Sequence, residues 1–250
     1  MIEVREIHKS FGDQSVLKGI SATFLQGKTN LVIGQSGSGK TVFLKSLVGL
    51  HEVDKGEIEY DGRKLAEMDD DAKKELRTEM GMVFQGNALF DSISIEDNVT
   101  FALGMFGKMP KDEMLDRANF CLKRVNLDGV NKKFPAELSG GMQKRVAIAR
   151  AMVLNPKYLF CDEPNSGLDP KTAIVIDRLI QEITEEYNMT TVINTHDMNS
   201  VMEIGDQIIF IKEGRKAWEG SSEDILTSSN EAINDFVFSS ALFRKIKAKL

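Results

Sequence analysis

The feature that most constrains this chain is a glycine-rich segment at residues 34–41, which reads Gly-Gln-Ser-Gly-Ser-Gly-Lys-Thr. Residues 29–33, Thr-Asn-Leu-Val-Ile, precede it and are typical of a buried strand, and a largely apolar stretch at residues 42–50 follows it. A strand, a glycine-rich turn and a helix in this order form the context in which this spacing binds phosphate. A chance glycine turn is the alternative, and the flanking elements argue against it. The segment therefore predicts a phosphate-binding loop.

Each residue type in this loop has a physical reason to be there. Glycines let backbone N–H groups curl around phosphate oxygens without a Cβ clash, and the following helix adds the positive end of its dipole. Lys40 supplies a point charge for the β- and γ-phosphates, and the Thr41 hydroxyl is a ligand for Mg²⁺. The predicted nucleotide contacts in this region are Gly34, Ser36, Gly37, Ser38, Gly39, Lys40, Thr41 and Val42.

Composition limits the class of protein. The 250 residues suffice for one large domain or two small ones, and 42% of them are hydrophobic, as in globular proteins. No apolar run approaches the roughly 18–20 residues of a membrane span, and the start of the chain lacks a signal-peptide pattern. Cys121 and Cys161 are far apart and lack metal-ligand spacing, which suggests buried thiols in a reducing compartment. The net charge of −6 argues against nucleic acid as a partner.

Periodicity predicts the strands of an α/β core with an antiparallel sheet beside it. Apolar and polar residues alternate along residues 1–30, with a turn at 12–13, and residues 57–60 add a further strand. The Asp-Gly pair at 61–62 is a hairpin signal. Other strands are expected at residues 80–84, 158–163 and 191–195, and in a terminal hairpin at 207–218.

Helical spacing predicts a subdomain inserted into this core. From about residue 96 to 128, apolar residues recur at helical intervals, between the strand that ends at Gln85 and a later Ser-Gly-Gly turn. The charge-rich residues 66–79 are expected to form a solvated helix. The helix after the Ser-Gly-Gly turn carries Met142, Val146, Ala149 and Met152 or Val153 on one face.

Two acids, Asp162 and Glu163, follow four apolar residues that predict a buried parallel strand. Open α/β sheets bind ligands at this end of their strands. Phosphoryl transfer needs charge neutralisation and an oriented nucleophile, so one carboxylate can stay ionised near a cation while the other accepts a proton from water. A surface acid pair is the alternative, and the preceding apolar strand argues against it.

The Leu-Ser-Gly-Gly-Met segment at residues 138–142 completes a pattern that resembles the nucleotide-binding subunits of ABC transporters. The resemblance runs from residue 1 to about 220. It implies an ATPase with the ABC-type P-loop NTPase fold, with an antiparallel β subdomain and a helical subdomain at about 86–150. Residues 221–250 are then a C-terminal extension.

The resemblance also implies catalytic roles. Gln85 would touch Mg²⁺ and the attacking water, Asp162 would hold Mg²⁺, and Glu163 would be the catalytic base. His196, which follows the strand at 191–195, would reach the γ-phosphate. The expected Mg²⁺ ligands are therefore Thr41, Gln85 and Asp162.

Two further positions concern the nucleotide. Phe11 matches the aromatic residue that stacks on adenine, and a core aromatic side chain on a strand edge is the alternative. Val42 stands where the family commonly has a second Ser or Thr near the α-phosphate. Its backbone N–H remains available, so we expect nucleotide binding to persist with less side-chain support.

The same resemblance implies a head-to-tail homodimer. Ser139, Gly140 and Gly141 open a helix whose N–H groups can bind phosphate oxygens. In the family they bind the γ-phosphate held by the opposite protomer. Asp169 lies in a loop that crosses the dimer interface and would couple the two sites.

The segment at residues 84–99 resembles the Mla and Mce-associated lipid-transport ATPases. It implies phospholipid transport through an integral, MlaE-like permease at the cytoplasmic face of the inner membrane. Mce-type lipid-binding and accessory subunits are further expected partners. The alternatives are another ABC importer, for amino acids or other small solutes, and a soluble ABC ATPase in an assembly or division complex.

The tail beyond residue 220 mixes apolar and basic residues. One interpretation is an amphipathic helix packed on its own domain or on the dimer mate, and the other is a basic surface against anionic lipid. The residues concerned are Phe236, Phe238, Leu242, Phe243, Arg244, Lys245, Ile246, Lys247, Lys249 and Leu250.

Overall fold

A computed structural model describes residues 1–106 and 109–239. The chain divides into two compact units. The first comprises Met1–Asp69 and the chain from Thr190 onward, and the second comprises Asp70–Met189. The strands in chain order are β1 (Ile2–Phe11), β2 (Gln14–Phe24), β3 (Lys28–Ile33), β4 (Lys55–Tyr60), β5 (Arg63–Lys64), β6 (Met80–Val83), β7 (Tyr158–Asp162), β8 (Thr190–Thr195), β9 (Gln207–Lys212) and β10 (Arg215–Gly220).

The helices follow the predicted order, including the helical block between residues 95 and 152. Asp70 and Asp71 lie in the first turn of α2, where acids interact favourably with the helix dipole. The sequence predicts a helix at 66–79, and the observed helix begins later, at residue 70. The helices are α1 (Lys40–Leu47), α2 (Asp70–Thr78), α3 (Ile95–Phe106), α4 (Lys111–Arg124), α5 (Gly140–Met152), α6 (Pro170–Glu186), α7 (Met198–Ile204), α8 (Ser222–Thr227) and α9 (Glu231–Val237).

The first unit contains an antiparallel sheet and a group of mostly parallel strands. The antiparallel sheet has the order β2-β1-β4-β5, with the predicted turns at residues 12–13 and 61–62. In the other group β3 pairs in parallel with β8 and β9, and β10 closes the predicted terminal hairpin. The predicted α/β fold with an antiparallel subdomain is confirmed.

The second unit contains the parallel pair β6 and β7 and the helices α2 to α6. All five residues of β7 are buried, as its apolar sequence predicts. The strand predicted at 80–84 ends at Val83, and the Phe84 side chain is exposed. Burial raises the pKa of Cys121 to about 11 and also raises that of Cys161, so both thiols stay protonated, as buried thiols should.

The described part of the tail packs on its own unit. Ile233 and Val237 of α9 are buried, and the ring of Phe236 stacks on that of Phe210 with centroids 5.0 Å apart. Packing on its own domain is therefore the observed arrangement up to residue 239. The predicted apolar and basic residues from Leu242 to Leu250 lie outside the described residues. Within residues 1–106 and 109–239, we find no helix with the length and apolarity that crossing a bilayer requires.

Candidate functional site

The phosphate-binding loop follows β3 directly and runs into α1. Gly37 and Gly39 have φ values of 79° and 106°, a region that side chains strongly disfavour. A Cβ at Gly34 would lie 2.4 Å from the carbonyl oxygen of Ile211, so this position has no room for one. The predicted strand, turn and helix are thus present, and three glycines of the motif are required by the backbone.

The turn between β9 and β10 forms a hydrogen bond to the phosphate-binding loop, although it lies outside the sequence motif of that loop. The N–H of Gly214 donates to the Ser38 carbonyl over 3.1 Å, and the Gly214 carbonyl accepts from the Lys18 N–H over 2.8 Å. A Cβ at Gly214 would lie 2.1 Å from the carbonyl oxygen of Val16. Sequence analysis identified this glycine only as a turn residue, since nothing in the sequence indicates which loops meet.

Lys40 lies within the loop with only 6% of its surface exposed. Its Nζ donates to the carbonyls of Gly34 at 2.8 Å and Gln35 at 3.1 Å. The Ser38 hydroxyl is buried and has no hydrogen-bond partner in the part of the chain that the structure describes. A buried cation, an unsatisfied hydroxyl and the N-terminus of α1 converge on this loop, which fits a bound phosphate. Thr41 is exposed and Val42 is half-buried at the start of the helix.

Phe11 and His196 are the other predicted site residues of the first unit. The Phe11 ring is 46% exposed; it forms a T-shaped contact with the His51 ring, with centroids 5.2 Å apart, and the Lys9 Nζ lies over it at 5.5 Å from its centroid. This exposure contradicts the core alternative for Phe11, and stacking on adenine remains a prediction. His196 is exposed directly after β8. Because Ile33 pairs with Thr195 in parallel register, His196 leaves the sheet at the same edge as the phosphate loop.

In the second unit, β7 delivers the two predicted acids. Asp162, its last residue, is 7% exposed, and Glu163 follows in a half-buried position with φ at 48°. Residues other than glycine avoid this conformation, and such strain concentrates at functional sites.

Gln85 and Glu163 meet although 78 positions separate them in sequence. The Gln85 Nε2 donates to the Glu163 Oε2 over 3.1 Å. Strand register explains the meeting, because Val83 of β6 pairs with Cys161 of β7 and each site residue lies two positions further on. The structure therefore shows that these two side chains adjoin, and their catalytic roles remain predictions.

The Ser-Gly-Gly turn begins α5. The Ser139 hydroxyl caps this helix by accepting from the Met142 N–H over 3.3 Å. Gly140 is exposed, whereas a Cβ at Gly141 would lie 2.7 Å from the methyl carbon of Thr172 in α6. Gly141 therefore permits close packing of two helices.

Asp169 has a structural role within its own chain that the sequence analysis missed. Its carboxylate caps α6, accepting from the N–H groups of Lys171 and Thr172 at 3.1 Å and from the Thr172 hydroxyl at 2.5 Å. The hydrogen bonds from Thr172 lower the pKa of Asp169. An Asp before a Pro that begins a helix is a capping signal, so the sequence contained this information.

The residues present also suit Mg²⁺. Within the described ranges no group of three or more His, Cys, Asp or Glu side chains could hold a metal by itself. Mg²⁺ does not need such a group, because proteins usually bind it through one or two carboxylates together with substrate phosphates and water. Asp162 at the end of β7 meets this requirement.

Comparison with known proteins identifies the family. The sequence profile of the family described as "ABC transporter" matches residues 17–166. This chain belongs to the ABC transporter family. It is an ATP-binding cassette that hydrolyses ATP, and the resemblance inferred from its motifs is confirmed.

Three curated relatives show which ABC proteins it is similar to. The probable ribonucleotide transport ATP-binding protein Mkl of Mycobacterium tuberculosis is 38% identical over 94% of this chain and 66% of its own length. The methionine import ATP-binding protein MetN of Clostridium tetani is 41% identical over 86% of this chain and 67% of its own length. The intermembrane phospholipid transport system ATP-binding protein MlaF of Haemophilus influenzae is 35% identical over 95% of this chain and 90% of its own length. The chain thus spans about two thirds of the length of Mkl and MetN and most of MlaF.

A solved structure confirms the fold. The dimeric structure of MJ0796, a bacterial ABC transporter cassette, matches with a TM-score of 0.81 and 33% identity, covering 89% of this chain and 99% of that one. A second dimeric structure of MJ0796 represents a post-hydrolysis state with ADP and Pi, at a TM-score of 0.80.

Proposed function

We propose that this ABC ATPase powers phospholipid transport between membranes of the cell envelope, through a partner permease at the cytoplasmic face of the inner membrane. The observation that carries the proposal is the similarity to MlaF, which extends over 95% of this chain and 90% of the relative. The segment at residues 84–99, which resembles the Mla group, supports the same reading.

A second candidate is import of a small solute such as methionine. The 41% identity with MetN favours it, although the chain covers only 67% of that relative. A test that compares lipid with solute is therefore needed to separate the two candidates.

For the hydrolytic step we propose roles that follow the observed geometry of each unit. In the first unit, the loop amides and Lys40 bind the phosphates, Thr41 offers an oxygen to Mg²⁺, Phe11 stacks on adenine and His196 contacts the γ-phosphate. Bound Mg²⁺ supplies charge neutralisation for the phosphates.

In the second unit, Glu163 accepts the proton of the attacking water, and Gln85 orients both this carboxylate and the water. Their 3.1 Å hydrogen bond is the contact that supports this assignment. Asp162 would offer its carboxylate oxygens to the metal.

We further propose that two copies form the working enzyme. The exposed N-terminus of α5 would bind the γ-phosphate held by the other copy, with Ser139, Gly140 and Gly141 as donors. The dimeric structures of MJ0796 support this arrangement. Hydrolysis then removes the shared contact and lets the two copies separate.

An apolar groove in the second unit supports a permease partner. It encloses about 460 Å³, and Phe84, Phe90, Phe101 and Met105 contribute to its lining. Met105 is 61% exposed. Arg150 fixes one wall by donating to the carbonyls of Asn87 and Ala88. An exposed apolar concavity of this kind marks an interaction site, and we propose that an apolar helix of the permease occupies it.

The permease proposal is tested by Met105→Glu. We expect the variant to lose co-purification with a membrane permease while it keeps its affinity for ATP. Phe120→Ser is the control, since Phe120 is an exposed apolar residue of α4, at 48%, that does not line the groove. Recovery of the wild-type chain solely in soluble complexes would contradict the proposal.

The lipid proposal is tested with the purified complex in liposomes. ATP-dependent transfer of labelled phospholipid, absent with Glu163→Gln, supports it. ATP-dependent methionine uptake without lipid transfer favours the second candidate.

A further inference from the structure

Lys144 is a buried cation in the helix that begins at the Ser-Gly-Gly turn. Only 2% of its surface is exposed, and it lies in α5 among buried apolar residues. Burying an ammonium group is unfavourable unless good partners compensate for the lost hydration. Its position therefore calls for a specific interaction.

The interaction is with the backbone of the loop that carries Gln85. The Lys144 Nζ donates to the Gln85 carbonyl over 2.5 Å and approaches the Phe84 carbonyl at 3.4 Å. The side chain of the same Gln85 donates to Glu163. A chain of contacts thus leads from α5, through one loop residue, to the carboxylate proposed as the base.

The electrostatic surroundings agree with this path. Burial lowers the pKa of Lys144, while the nearby carboxylates of Asp162 and Glu163 raise it. The cation therefore interacts with the charges of Asp162, the last residue of β7, and of Glu163, which follows it.

We infer that Lys144 is a positioning residue for hydrolysis: it ties the loop of Gln85 to the helix of the Ser-Gly-Gly turn and so holds the Gln85 amide against Glu163. This inference deepens the proposed function and rests on the proposed roles of Gln85 and Glu163. It also implies that a shift of α5, when the second copy docks, moves the Gln85 loop with it.

The test compares Lys144→Met, Lys144→Arg and a control in the full-length chain. Methionine nearly conserves the volume but removes the charge and the donors, whereas arginine keeps both. Lys132→Met is the control, because Lys132 belongs to the same unit and its side chain, which pairs with Glu96, is 84% exposed. Ion pairs of solvent-exposed lysines contribute little to stability.

We expect Lys144→Met to lower kcat for Mg·ATP on the order of 10- to 100-fold with KM nearly unchanged, because misplacing a reacting group affects the chemical step. Lys144→Arg should recover part of this loss, and Lys132→Met should match the wild type.

A second readout does not involve turnover. The N–H of Asn87 donates to the Phe84 carbonyl over 3.0 Å, and the N–H of Ala88 donates to the Gly86 carbonyl over 2.7 Å. Hydrogen–deuterium exchange of these two amides, without nucleotide, reports on the order of the loop. Exchange should accelerate about tenfold in Lys144→Met, while the amides of α6 keep their wild-type protection.

Wild-type exchange at these amides in Lys144→Met would overturn the inference, even if activity falls. An equal loss of kcat in Lys144→Met and Lys144→Arg, proportional to the loss of folded protein, would also overturn it. A failed catalytic assignment is recognised separately, because Glu163→Gln would then keep its turnover while the exchange result for Lys144→Met stands.

Discussion

The two units build their parts of the site in different ways. In the first unit, the phosphate loop is a backbone structure made by eight consecutive residues, with glycines where a Cβ would strain or clash. In the second unit, the site is made of side chains from separate segments, such as Gln85 and Glu163, which meet because two parallel strands end at one edge. A binding function needs a rigid cradle, whereas a chemical step needs side chains at set distances. The difference predicts that mutations in and around the phosphate loop affect binding, whereas mutations at Gln85 and Glu163 affect turnover.

The largest expected effect is in the second unit. Glu163→Gln removes the proton acceptor while it keeps the shape of the side chain, and general-base catalysis contributes about 10²- to 10⁴-fold. We expect kcat to fall by that amount, with ATP still bound and an ATP-dependent dimer visible by size-exclusion chromatography. Phosphate release measures the turnover.

Glu185→Gln is the control for this change, because it alters the same residue type at an exposed position of α6. It should keep wild-type turnover. Sustained hydrolysis by Glu163→Gln would show that the base is assigned to the wrong residue.

The next effect tests the first unit. Lys40→Ala removes a buried cation from the phosphate loop, and hydrogen bonds to charged groups contribute about 1.5–3 kcal/mol each. ATP affinity, measured by isothermal titration calorimetry, should therefore fall on the order of 10- to 100-fold. Lys45→Ala, in the same helix but outside the loop, should bind nearly as well as the wild type. Equal affinities of Lys40→Ala and the wild type would contradict the loop assignment.

A third prediction concerns the turn that supports the loop. Gly214 and Gly62 have φ values of 80° and 82°, but a Cβ would clash only at Gly214. Alanine at either position costs about 1–2 kcal/mol of conformational strain, and the clash adds on the order of 1–3 kcal/mol at Gly214.

Chemical denaturation of Gly214→Ala and Gly62→Ala separates the two contributions. Gly214→Ala should unfold at a lower denaturant concentration and should also bind ATP more weakly, since its N–H holds the Ser38 carbonyl. Equal stability and affinity of the two variants would mean that the turn does not support the loop.

The smallest expected effect concerns Phe11. Aromatic stacking contributes about 0.5–1.5 kcal/mol, so Phe11→Ala should weaken ATP binding about two- to tenfold and leave kcat unchanged. Phe134→Ala alters a similarly exposed ring of the second unit and serves as the control. If Phe11→Ala binds ATP and GTP as tightly as the wild type does, the ring does not stack on the base.

Most of the fold could be predicted from the sequence, because its signals are local. The alternation of apolar and polar residues, together with turns at Gly12 and at Asp61-Gly62, predicted the antiparallel strands. The apolar run before Asp162 predicted a buried strand. The predicted ends of elements were less accurate: α2 begins at residue 70, and β6 ends before Phe84. Helix capping and the local exposure of side chains decide where such elements end. The segment at 84–99 pointed to the lipid-transport group, and the similarity to MlaF supports that reading without establishing the substrate.

The sequence by itself determined the phosphate loop, since its glycines, lysine and threonine are contiguous and their spacing alone fixes how the backbone can meet an anion. It also supplied the acids of β7 and the histidine after β8 as candidates. Only the tertiary structure decided which distant groups touch: Gly214 with Ser38, Gly141 with Thr172, and Lys144 with the Gln85 carbonyl. The physical reason is that such contacts depend on strand register and helix packing, which bring together residues whose separation in the chain has no regular period.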